Sequence, residues 1–134
     1  ATMTPVGIFM GCFYTDPGTN QPTFNQTYPA STAADDIMAY VLDDPDCVFR
    51  MQSDEALAQT TLSNNVGVVQ TAGSTSIGRS KNAVDGSTAA TTNTLPLRIL
   101  EFVDGPDSEV GDAFTDVLLT YNAGMHLYRN ATGV

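Results

Sequence analysis

The stretch LPLRILEFVDGPDSEVGDAFTDVLLTYNAGMHLY, residues 95–128, decides the fold class. Two apolar, β-favouring runs flank a loop rich in Asp, Gly and Pro, which is the pattern of paired strands joined by a turn. It predicts strands over 95–103 and 113–122, a loop over 105–111 and a turn at Asn122-Ala123-Gly124. A last short strand is expected over 125–128.

The same punctuation recurs upstream. Strands are expected over 6–14, 36–42, 47–52 and 67–72. Gly7 and Gly11 interrupt the first and suggest a bulge or a close backbone approach. In 47–52 the alternation places Val48, Arg50 and Gln52 on one face and Cys47, Phe49 and Met51 on the other. Thr15-Asp16-Pro17-Gly18 and Asp43-Asp44-Pro45-Asp46 read as turns. Residues 21–28, between Pro22 and Pro29, read as an edge strand or an extended arm, because proline cannot donate to a ladder. Residues 53–58 are the best helix candidate, with Ser53 or Asp54 as cap and Glu55 near the positive end of the dipole. Leu62 and Val66 extend that helical patch or begin a loop. Residues 73–94, rich in Gly, Ser, Thr, Asn and Ala, predict a long ordered surface loop with one short strand over 74–77, of which 74–92 should be removable with the fold intact.

Many short strands separated by turn residues define an all-β chain, an antiparallel β-barrel or jelly-roll-like sandwich with one or two short helices. Crossover helices for a parallel α/β fold are missing from the pattern. The 134 residues fit one domain, 1–134, with 1–5 and 129–134 as arms.

The net charge of −10 and the five scattered cations exclude a nucleic-acid or anionic-membrane partner, since phosphate binding needs clustered Lys and Arg. An acidic surface suits solubility or docking onto a basic protein surface. Cys12 and Cys47, each in an apolar setting, are expected as buried free thiols.

No catalytic constellation, cofactor motif or metal site is expected. Residues 104–112 carry four acids that could wrap a hard cation, but they miss the EF-hand spacing and Asp, Gly and Pro are ordinary turn residues. Paired carboxylates for a hydrolase sit in turns. His126 is the lone histidine and no nucleophile motif accompanies it, so a structural role is expected. The aromatics Phe9, Phe13, Tyr14, Phe24 and Tyr28 cluster early. They serve as core cover or, over 24–28, as anchors against another subunit.

VGIFMGCFYTDPGTNQPTFNQTYP, DDPDCVFRMQSD, GRSKNAVDG and LRILEFVDGPDSEVGDAFTDVLLTYNAGMHLY follow one another along most of the chain. In this pattern the chain resembles small virion proteins of tailed bacteriophages that decorate, or cement, the head. The resemblance implies a β-rich, non-enzymatic structural protein on the outer surface of the capsid in the virion. Its partners would be the major capsid protein and copies of itself, as a homodimer or homotrimer. The expected capsid or subunit contacts are Phe24, Tyr28, Pro29, Ile77, Arg79 and Lys81. The alternative is a carbohydrate- or host-surface-binding β-module, calcium-assisted through residues 104–112.

Overall fold

The computed structural model describes residues 3–133. Eight strands form two antiparallel sheets. The first sheet contains β1 (Ile8–Thr15), β2 (Pro22–Asn25) and β3 (Met38–Leu42), in the order β2-β1-β3. The second contains β4 (Phe49–Gln52), β5 (Asn65–Val69), β6 (Ala83–Ala90), β7 (Leu97–Phe102) and β8 (Asp116–Tyr121), in the order β4-β8-β7-β5-β6. The chain is therefore all-β and sandwich-like. The barrel alternative is corrected, because β2 and β3 end one sheet and β4 and β6 end the other.

The hairpin-like signal of 95–128 corresponds to neighbours β7 and β8, with Leu97 opposite Tyr121 and Ile99 opposite Leu119. Val117, Leu119 and Tyr121 are buried while Asp116, Leu118 and Thr120 are half-buried, the period of two that a strand imposes. These side chains meet Ile99, Leu97, Val66 and Val84 in one core, each full burial being worth roughly 1.5–3 kcal/mol. The face assignment in 47–52 agrees: Phe49 and Met51 pack against this core, and Arg50 and Gln52 are exposed.

Asn122 fastens the hairpin. It is 3% exposed, and its side-chain amide donates to the carbonyls of Asn93 (3.1 Å) and Leu95 (2.9 Å). Its own carbonyl oxygen accepts from the Arg98 guanidinium at 3.0 Å, and that guanidinium also reaches Asn65.

Five expectations are corrected. Residues 53–58 are not a helix, because their backbone donors are spent on neighbouring strands. Ser53 N–H donates to Thr115 O and Asp54 N–H to Val84 O, and Leu57 plugs the core at 1% exposure. Two short 3-10 turns, Gln59–Thr61 and Leu127–Arg129, are the helical elements among the described residues. Val66 lies in β5 rather than in a helical patch.

Residues 73–94 are not one loop. β6 lies within them and pairs with β5, with Val84 opposite Val68 and fully buried. The strand expected over 74–77 is a turn closed by a lone Ser74–Arg79 bridge. Residues 125–128 are turn and 3-10, because Met125 N–H returns to Asn122 O and Arg129 N–H to His126 O.

Of the two terminal arms, residues 1, 2 and 134 lie outside the described residues. Pro5 O accepts from Leu127 N–H (3.0 Å), and Arg129 meets Asp46 through two hydrogen bonds of 2.8 Å. Cys12 is a buried free thiol; Cys47 is free and half-buried.

Candidate functional site

Two surfaces stand out, one a cleft and one a sheet face. The cleft has a volume of about 1280 Å³ and opens between the two sheets. Its walls come from Gly7–Phe9 of the first sheet and from Phe49, Met51, Val68 and Tyr121 of the second. Its rim comes from residues 26–30, 73–80 and Asn82.

The rim is built by a turn that packs on a loop. Ser74 N–H donates to Arg79 O and Gly78 N–H to Ser74 O, each at 2.9 Å. Gly78 has φ +63°, and a Cβ there would sit 2.6 Å from Thr27 Cγ2. Only glycine allows both the left-handed turn and this approach. The contact joins the two segments that the sequence singled out separately. Tyr28, Pro29, Ile77 and Arg79 all line the cleft, with Ile77 67% exposed at its edge. Phe24 and Lys81 do not line it. Arg79 and Lys81 make no ion pair among the described residues, whereas Arg50 meets Asp116 and Arg129 meets Asp46.

Phe24 belongs to the second surface. In the first sheet Phe13 is opposite Phe24 on one side and Met38 on the other, so the three side chains form a row on one face. Tyr40 is opposite Gly11 on the same face, and its ring lies 5.9 Å from that of Phe24. Gly11 makes this possible. The register shifts between Phe9 and Gly11, its φ is +144°, and a Cβ would lie 2.6 Å from Phe24 Cζ. The bulge and close approach read from the glycines are both present at this position. The opposite face is covered only in part: Cys12 and Tyr14 are buried, Cys12 donates to Thr27 O and Asn25 donates to the Tyr14 hydroxyl, while Phe9 and Val41, paired at its other end, are exposed.

The sequence did not single out Met38, Tyr40 and Leu42. A signal was there, since residues 37–42 are apolar on both faces of the strand, whereas a sheet packed on one side normally shows polar residues on the other.

Few groups are electrostatically unusual. Hydrogen bonds from Thr15 hold the Asp36 carboxyl below its ordinary value. Burial pushes the Tyr121 phenol up, and neighbouring Cys47 adds to that. The Asp43 carboxylate, as acceptor and as charge, raises the Tyr128 phenol. His126 is 1% exposed and wedged edge-on between the Tyr121 and Tyr128 rings, at 4.8 and 5.2 Å. Its Nδ1 accepts from Tyr128 N–H, which caps the last 3-10 turn.

Residues 104–112 are a set of tight turns. Gly105 and Ser108 exchange backbone hydrogen bonds, and Asp112 Oδ2 accepts from Glu109 N–H at 2.9 Å. Among the described residues, three carboxylates approach within 4.8 Å elsewhere, at Asp54, Glu55 and Asp85. Asp54 there accepts from Gly86 N–H and Asp85 from the Ser87 hydroxyl.

Comparison with known proteins found no matching family model, no matching curated protein and no matching solved structure.

Proposed function

We propose that this chain is a non-enzymatic virion protein that decorates and stabilises a bacteriophage capsid from its outer surface, held to the major capsid protein through the rim of the cleft. One observation carries the reading of that contact. The packing of Gly78 on Thr27 gathers Tyr28, Pro29, Ile77 and Arg79 at one edge, with Lys81 nearby. An exposed aliphatic tip flanked by two cations that meet no carboxylate among the described residues suits an acidic, apolar-pocketed protein surface. The pattern of quoted motifs supplies the capsid as that surface.

The first test is the copy number of this chain in purified phage particles, measured by mass spectrometry against the major shell protein. Near-stoichiometric copies are expected. A few copies per particle would move the protein to the tail or portal, and none would remove the reading. The contact is tested with Ile77→Asp and with Arg79→Glu paired with Lys81→Glu. All three positions are exposed, so the fold should stand while affinity for shells falls about tenfold or more. Unchanged binding would reject the rim as the contact. A calcium-raised melting temperature that disappears in Asp112→Asn would favour the carbohydrate-binding alternative instead.

A further inference from the structure

The first sheet reverses the usual relation of a sheet to water. Its inner face buries Cys12 and Tyr14 and leaves Phe9 and Val41 open at the cleft end, and its outer face carries Phe13, Phe24, Met38, Tyr40 and Leu42 at 36%, 54%, 68%, 53% and 43% exposure. An antiparallel sheet with one face packed normally shows water its polar side chains. Here the outward positions of β3 are Met, Tyr and Leu in succession. No ionisable carboxylate or amine stands among these five residues, although the chain as a whole carries −10.

We infer that this face is where two copies of the chain pair, face to face about a two-fold axis, with the Phe24–Phe13–Met38 row of one lying across that of the other. Three observations select a second copy over another occupant. First, the face is uncharged, so it offers a basic or acidic partner nothing to pair with, while an identical face matches it. Second, the size fits. At roughly 200 Å² per large side chain the five residues expose about 500 Å² per copy. Doubled, that reaches the ~1,000 Å² which a specific interface should clear. Third, the face is continuous: three hydrogen-bonded strands set it, and the Phe24 and Tyr40 rings meet over Gly11 at its centre. An isologous pair of such sheets forms a sandwich layer between copies, packed as two sheets of one domain pack.

The surface is distinct from the cleft rim, so shell binding and self-pairing are separable. Sedimentation equilibrium of the isolated chain, without shells, tests the inference. The expected mass at micromolar concentration is twice the protomer mass. Two highly charged acidic copies repel at long range, so the dimer should tighten as sodium chloride rises, opposite to a contact made of ion pairs. Met38→Glu places a charge on the face at its most exposed position and should halve the mass with the β-sheet circular dichroism unchanged. Leu100→Glu, an exposed apolar position on β7 of the other sheet, should leave the dimer intact. A wild-type monomer at 100-fold higher concentration, or a Met38→Glu chain that still dimerises, would overturn the inference. Neither result would bear on the copy number in particles.

Discussion

Tyr128 Oη donates to Asp43 Oδ2 at 2.5 Å, joining residues 85 positions apart in sequence. The bond ties the last 3-10 turn to the connection between β3 and β4, which is also the connection between the two sheets. Because the acceptor carboxylate raises the phenol's pKa, this bond's contribution is fully present below pH 10 and is lost as pH climbs through the higher folded value. Tyr128→Phe should therefore lower the melting temperature at neutral pH, and the gap to the parent should close in strong alkali. Thermal melts across the alkaline range check this, and a gap that persists would assign the effect to packing.

Asp36 gives the mirror image. Its carboxylate accepts from the Thr15 hydroxyl at 2.6 Å and from Thr15 N–H at 3.1 Å, pinning the segment before β3 to the end of β1. Its pKa lies below 3.8, so its contribution is present above that value and lost as pH falls through the folded one. Asp36→Asn should melt lower than the parent at neutral pH and together with it in strong acid. The carboxylate is solvent-exposed, so the effect is small and is best read as a difference between two acid titrations.

Asn122→Ala should be among the costliest polar substitutions. It strips donors from the carbonyls of Asn93 and Leu95 and an acceptor from Arg98, in a site closed to water. A loss of about 2–4 kcal/mol is expected in urea melts. Asn122→Asp keeps the acceptor for Arg98 but turns a carboxylate oxygen on the two carbonyls in a buried site, so it should cost at least as much.

Deleting residues 83–90 should abolish folding, because it removes β6 and the fully buried Val84 along with the carbonyl that receives Asp54 N–H. Ile77→Ser, in the same polar stretch, should leave stability within about 0.5 kcal/mol. The pair separates strand from surface turn inside a segment of uniform composition.

That segment marks where the sequence stops being legible. β8 was readable because its apolar, β-favouring run follows a loop rich in Asp, Gly and Pro and ends at the Asn122-Ala123-Gly124 turn. β6 has the sequence AVDGSTAA and one fully buried side chain. It is a strand because β5 offers it a ladder, and intrinsic propensity contributes little. The 53–58 segment carries a good cap residue, but Ser53 uses its backbone on Thr115 and its side chain on Val84 O, and tertiary bonds won over the local signal. In the candidate site, residues 24–29 and the 77–81 turn were each readable as exposed and unusual. Their meeting was not, since it rests on the Gly78 approach to Thr27, a contact between segments some fifty residues apart with no pattern linking them. The bare sheet face was hidden differently. Its aromatics looked like core, and only the three-dimensional register shows which of them face out.

The strand order sets a timetable for synthesis. β1, β2 and β3 pair among themselves within residues 8–42, so the first sheet can close while the rest of the chain is still being made. β4 cannot: among the described residues its one ladder partner is β8, four strands later, which must slot between β4 and β7. While residues 43–121 are being made, the growing polypeptide thus carries a finished apolar sheet beside an unfinished one, a state prone to sticking to its neighbours. At the ribosome, the face that would join two finished copies is exposed before the second sheet is complete.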